Sequence, residues 1–175
     1  MISRSLFTES KNLRIFDFDD TLVKTTSFIY ITHKGGKKSK LSPAQYAIYN
    51  EKPGDVFDFS DFEQVKQPQE IKRITNVLRK VVQISKEPVY ILTARSAADP
   101  IKRYLKDIGI NSNKINVIAL ASNNPKDKAD WIEKKIDNEG YDDIYFADDS
   151  EKNVEATKTM LRRKDVKWRV QLIKH

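Results

Sequence analysis

From Asn12 onward, short apolar runs alternate with segments of helical length, and that alternation limits the chain to few folds. Leu13-Arg14-Ile15-Phe16-Asp17-Phe18 reads as a strand, dense in apolar and aromatic residues and free of glycine and proline. Pro68 to Glu87 reads as a helix, with Ile71, Ile74, Leu78, Val81 and Val82 at helical spacing and Pro68 in a first turn. After Pro88, Val89-Tyr90-Ile91-Leu92 reads as a buried strand. Ser96 or Asp99 is placed to cap the next helix, which carries Ile101, Tyr104, Leu105 and Ile108 and stops near Gly109. Strand Ile115–Leu120, helix Pro125–Asn138, strand Asp143–Ala147, helix Glu151–Lys164 and strand Trp168–Ile173 follow. Strands joined by such helices take right-handed crossovers. The expectation is a Rossmann-like α/β domain over 1–175, its mostly parallel sheet covered by helices on both faces. Ligands of such sheets bind beyond the carboxyl ends of the strands.

The stretch from about 25 to 67 breaks this rhythm. Phe28-Ile29-Tyr30-Ile31 followed by Gly35-Gly36 suggests a hairpin, Pro43 to Tyr49 a short helix, and Lys52-Pro53-Gly54-Asp55 a turn. It is too short for a domain and reads as a flap, a minimal cap beside the first strand.

Composition narrows the chemistry. Cysteine is absent, which excludes disulfides, thiolate catalysis and cysteine-ligated zinc, and fits a cytoplasmic setting. His33 and His175 lie too far apart in sequence to suggest a histidine metal site. No apolar run is long enough to span a bilayer, and Met1 to Asn12 lacks the apolar core of a secretory signal. No membrane partner is expected, and nothing speaks to oligomeric state. The net charge of +7 fits either a lysine-rich surface or an anionic partner, nucleic acid above all.

Four segments carry the chemistry. Phe16-Asp17-Phe18-Asp19-Asp20-Thr21 gathers three carboxylates where an apolar strand ends. Such carboxylates repel one another and are costly to desolvate, so a divalent cation with a taste for oxygen, magnesium, is the natural compensation. In Leu92-Thr93-Ala94-Arg95, a strand-end hydroxyl can donate to a phosphoryl oxygen and an arginine can pair with phosphate; Thr93 can equally cap the following helix. Pro125-Lys126-Asp127-Lys128 offers a lysine at a helix start, and Phe146-Ala147-Asp148-Asp149-Ser150 repeats paired carboxylates at a strand end, where Asp149 or Ser150 can also serve as a cap.

In order, these four segments resemble the motifs of the haloacid dehalogenase (HAD) superfamily over about residues 13–155. The resemblance implies a phosphohydrolase working through an aspartyl-phosphate, with Mg2+ as cofactor. It makes Asp17 the nucleophile and a metal ligand. Asp19 becomes the acid and base, offering its backbone carbonyl to the metal. Thr93 holds the phosphoryl group, with Ala94 and Arg95 beside it. Lys128 neutralises charge, with Lys126 as the competing candidate and a substrate contact. Asp148 and Asp149 become metal ligands, Asp149 through water. In the superfamily an aspartate at the position of Asp19 marks phosphatases and phosphotransferases; side chains at i and i+2 of an extended segment share a face, so Asp19 suits the same reaction centre as Asp17. Many relatives carry glycine where this chain has Asp20.

The flap leaves room for only a small cap, and an open site suits a large substrate. The expected partner is a phosphorylated substrate, with nucleic-acid ends or nucleotides favoured by the charge. Thr32 to Lys40 is placed to meet a phosphate backbone, and Tyr30, Tyr46, Tyr49 and Phe57 either stack on bases or pack the flap. The chain is also loosely similar to phosphatase modules of polynucleotide end-repair proteins. The alternatives are a phosphoprotein phosphatase, a small-metabolite phosphatase if the insertion covers Asp17, and a non-catalytic binding protein.

Overall fold

Leu13, Ile15 and Phe16 are fully buried because their strand, β1 (Asn12–Phe16), runs through the middle of a five-stranded sheet. The computed structural model describes residues 9–110 and 112–175; residues 1–8, part of the stretch read above as lacking a signal, lie outside them. β1 pairs in parallel with β7 (Val89–Thr93) on one side and with β9 (Asp143–Asp148) on the other. With β8 (Ile115–Ala119) and β10 (Lys167–Leu172) the order is β10-β9-β1-β7-β8, parallel throughout.

Successive residues of a strand face opposite ways, and both faces here are apolar. Phe16, Ile91 and Val117 enter one core with Ile74 and Leu78 of α2 (Lys72–Ile84) and Ile101 of α3 (Asp99–Asp107). Ile15, Leu92 and Phe146 enter the other with Ile132 of α4 (Pro125–Glu139) and Leu161 of α5 (Glu151–Leu161). The ends of α4 follow from local chemistry. Asn124 accepts from the Lys126 N–H at 3.0 Å, Pro125 occupies the first turn, and Gly140 closes the helix at φ 74°.

Two expectations are corrected. The helix expected from Pro68 starts at Lys72, because Gln69–Glu70 form β6, which pairs antiparallel with β2 (Val23–Lys24). The Ile71 N–H also bonds to the Leu22 carbonyl, at 2.9 Å. Neither Ser96 nor Asp99 caps α3: Ala98 stands at its cap without a side-chain bond, and Asp99 is its first residue. Other boundaries shift by a few residues at most, as frayed ends do.

The flap is a three-stranded antiparallel sheet, β3 (Ile29–Thr32) between β4 (Lys38–Leu41) and β5 (Val56–Asp58). Gly35 and Gly36, both at φ 91°, turn β3 into β4. The short helix α1 (Pro43–Ala47) starts with a reciprocal cap between Ser42 and Gln45. Among the described residues, no helix is long and apolar enough to cross a membrane.

Candidate active site

Asp17 is the first residue beyond β1, and its N–H donates to the Ala147 carbonyl of β9 at 2.9 Å. Since Phe16 stands opposite Ala147 in this register, Asp17 and Asp148 end neighbouring strands side by side. The chain then turns sharply: Thr21 and Leu22 N–H groups both donate to the Phe18 carbonyl, and Asp20 takes a left-handed φ of 62°. Aspartate tolerates that region better than most residues, and glycine tolerates it best, which gives the Asp20 departure a physical reading.

The turn brings Thr21, fully buried, back onto Asp17: its hydroxyl donates to Asp17 Oδ2 at 2.9 Å and lies 3.5 Å from Asp149 Oδ1. Lys128 reaches the other side of the cluster from the first turns of α4. Its Nζ is 2.8 Å from Asp17 Oδ1 and 2.8 Å from Asp148 Oδ2, with only 4% of the side chain exposed. Burial alone would pull this amine down, but the charges of Asp148 and Asp17 outweigh it and hold the amine above its ordinary value. Lys126, two positions earlier and so about 200° around the helix axis, points outward and pairs with Asp130 at 2.5 Å. Helix geometry turns Lys126 away from the cluster that Lys128 enters, and the residues that border the cavity below do not include it.

Asp148 is fully buried. Its Oδ1 accepts from the Ser150 N–H at 2.8 Å, and its Oδ2 also accepts from the Asn153 side-chain amide at 3.0 Å. Ser150 caps α5, so the Asp148 carboxylate sits at the start of that helix. Burial first, then Asp17, pushes the Asp148 carboxyl up to about 6. Asp149 goes up to about 10, again through burial first, then through the charge of Asp17 and a hydrogen bond to it. Asp20 is raised as well, by burial and then by Asp19 and Asp17.

One oxygen each from Asp17, Asp148 and Asp149 lies within 4.8 Å of the others, and Lys128 pairs with two of the three, Asp17 and Asp148. That surplus of negative charge, with its all-oxygen donors, fits a hard divalent cation. The side chain of Asp19 is outside this group. Both its oxygens receive the fork of Arg95, from Nε at 2.8 Å and from Nη2 at 2.8 Å. Arg95, expected beside a phosphate, thus directs its fork at a carboxylate.

Thr93, Ala94, Asp19 and Asp17 border one cavity, and Pro43, Tyr46, Phe59 and Phe62 of the flap also line it. The Thr93 hydroxyl oxygen accepts from the Arg95 N–H at 3.1 Å, holding the strand end in shape. The side-chain amide of Asn123 donates to the Tyr46 carbonyl at 2.7 Å and ties the flap to the loop before α4. Tyr46, Tyr49, Phe57 and Phe59 pack on one another, with ring centroids 5.5–6.1 Å apart along the chain of contacts. Tyr30 faces outward. Lys34, Lys37, Lys38 and Lys40 are exposed, whereas His33 is held by Asp55 and Ser39 at 2.7 Å each.

Sequence reading assigned no role to Thr21, Asn153 or Asn123. Thr21 lies inside the first motif, and Asn153 lies in the first turn of the helix after the last, so position alone could have marked both.

No family model matches the sequence, and no curated protein matches it. Among solved structures, the HAD domain of effector protein Lem4 from Legionella pneumophila, an inactive mutant, is similar in shape. The TM-score is 0.59 at 15% identity, covering 95% of this chain and 87% of that one. With a parallel sheet in the order above and a carboxylate cluster beyond its central strands, the chain has a HAD-like Rossmann fold.

Proposed function

We propose that the chain is a magnesium-dependent phosphatase that hydrolyses phosphate monoesters through an aspartyl-phosphate on Asp17. One observation carries this reading. The Asp17 carboxylate is held by Lys128 and Thr21 beside Asp148 and Asp149, in a cavity that Asp19 and Thr93 also border.

Phosphoryl transfer needs positioning and charge neutralisation more than elaborate bonding. Asp17 attacks phosphorus, the bond to the leaving oxygen breaks, and Asp19 supplies that oxygen with a proton. Asp19 then takes a proton from water as the water attacks phosphorus; the bond to Asp17 breaks and phosphate leaves. Lys128 stays against Asp17 throughout and offsets the charge that gathers there. Thr93 donates its hydroxyl to a phosphoryl oxygen. Asp17, Asp148 and Asp149 would hold a magnesium ion, which would supply Lewis-acid neutralisation of negative charge on the phosphate.

The substrate class we favour is a phosphate on a nucleic-acid end, on the +7 charge and the exposed lysines of the flap. A second reading, a small-molecule phosphatase such as a nucleotidase, is favoured by the flap side chains that line the cavity together with Asp17. Phosphate release with magnesium separates the two, comparing 3′- and 5′-phosphorylated oligonucleotides, nucleoside monophosphates and a phosphopeptide. Asp17→Asn is the control. Oligonucleotide preference supports the first reading, monophosphate preference the second, and phosphopeptide preference neither. Release that persists in Asp17→Asn would sink the mechanism.

A further inference from the structure

Arg95 stands two residues past Thr93, where a phosphate ligand is expected, yet its guanidinium is already engaged. Two of its nitrogens hold both oxygens of Asp19 at 2.8 Å, and Nη1 donates to the Gln64 carbonyl of the flap at 3.2 Å. The guanidinium lies between two rings, 5.2 Å from the centroid of Phe18 and 4.5 Å from that of Phe62. The side chain is 2% exposed, and the backbone is fixed at both ends, by Thr93 and by the Ala121 N–H.

A planar fork that meets both oxygens fixes the plane of a carboxyl group as well as its distance. We infer that Arg95 is a positioning residue: it orients the Asp19 carboxyl toward the leaving oxygen and the attacking water, and does not hold the phosphate. Phe62 and Gln64 belong to the flap, so the same contacts tie the seating of the flap to the aim of Asp19. This inference rests on the phosphatase reading.

The two roles separate by leaving group. A nitrophenolate leaves without a proton, whereas an alkoxide needs one from Asp19. If Arg95 acts through Asp19, Arg95→Met loses turnover of an alkyl phosphate by about 100-fold, the scale of a misplaced acid. It keeps a pre-steady-state burst of 4-nitrophenolate from 4-nitrophenyl phosphate, followed by slow turnover, because hydrolysis of the phosphoenzyme still needs Asp19. Its affinity for inorganic phosphate, measured by calorimetry with magnesium, stays within about twofold of the unaltered chain. The double variant Asp19→Asn/Arg95→Met is no slower than Asp19→Asn alone, since residues acting as one unit are not additive.

Loss of the burst together with a tenfold weaker phosphate affinity would make Arg95 a phosphate ligand and overturn the inference. Should Arg95→Met fail to fold, Arg95→Lys keeps the charge and the buried stem and is read on the same measurements. An unaltered chain that gives neither burst nor release from either ester fails differently: it removes the phosphatase reading and this inference with it.

Discussion

Replacing Lys128 by methionine keeps the length and the apolar stem of the side chain and removes only the charge. In the native fold that charge is 2.8 Å from both Asp17 and Asp148, with side-chain exposures of 4%, 9% and 1% for the three groups. Removing one partner of a buried pair leaves an uncompensated charge, at a cost of about 3–5 kcal/mol. We expect that loss at pH 8 in EDTA, read by urea unfolding. Two dependences follow from the cluster. Magnesium at 100 times its dissociation constant returns about 2.7 kcal/mol, because the cation takes over part of the ammonium's work. The penalty also shrinks at pH 5, where Asp148, raised to about 6, carries a proton and fewer charges lack a partner. Phosphate release falls by at least about 100-fold, the scale of a lost charge-stabilising group. A loss below about 1 kcal/mol at pH 8, or an equal loss at pH 5 and pH 8, would refute the reasoning.

Three further outcomes are expected. Asp149, raised to about 10 in the fold against 3.8 unfolded, keeps a proton that the unfolded chain gives up, so metal-free stability declines as pH rises between those values. Magnesium binding then expels about one proton at pH 7.5, measured by calorimetry in two buffers of different ionisation enthalpy; no release contradicts the arrangement. Asp20→Ala, which keeps a Cβ at φ 62°, is less stable than Asp20→Gly by about 1 kcal/mol, because glycine relieves the strain of the left-handed backbone. Denaturant midpoints decide, and equal losses in the two variants would exclude backbone strain as the cause. Asp55 is held down to about 2, first by the Tyr49 hydroxyl and then by the Lys52 N–H, so its contribution is complete above 3.8 and lost as pH falls through about 2. Melting curves from pH 5 to 2 should drop less steeply for Asp55→Asn than for the parent, and parallel curves would count against it.

Periodicity and strand-end position revealed much of this in the sequence. The buried runs of β1, β7 and β9 are apolar on both faces, so their strands and the order of the motifs could be read directly. Pairing of two-residue segments could not. Gln69–Glu70 carry no pattern of their own and become a strand only because Val23–Lys24 lie opposite, which is why the helix was expected too early. β5 is three residues long and was missed for the same reason. In the site, the choice between Lys126 and Lys128 is an angular fact about α4 that spacing alone left open. The Arg95 fork joins residues 76 positions apart, and a strand-end arginine gives no sign in sequence of whether it faces a phosphate or a carboxylate.

The register between β1 and β9 also sets a timetable for synthesis. Asp17 emerges first, and the amine that neutralises it follows 111 residues later. At about 5–20 residues per second, the nascent chain carries that carboxylate without its partner for roughly 6–22 s. No shorter piece holds the cluster together, so it assembles only once β9, which ends in Asp148, has docked beside β1. Truncation anywhere before α4 therefore yields fragments that lack Lys128 and Asp148, whatever the state of the early strands and the flap.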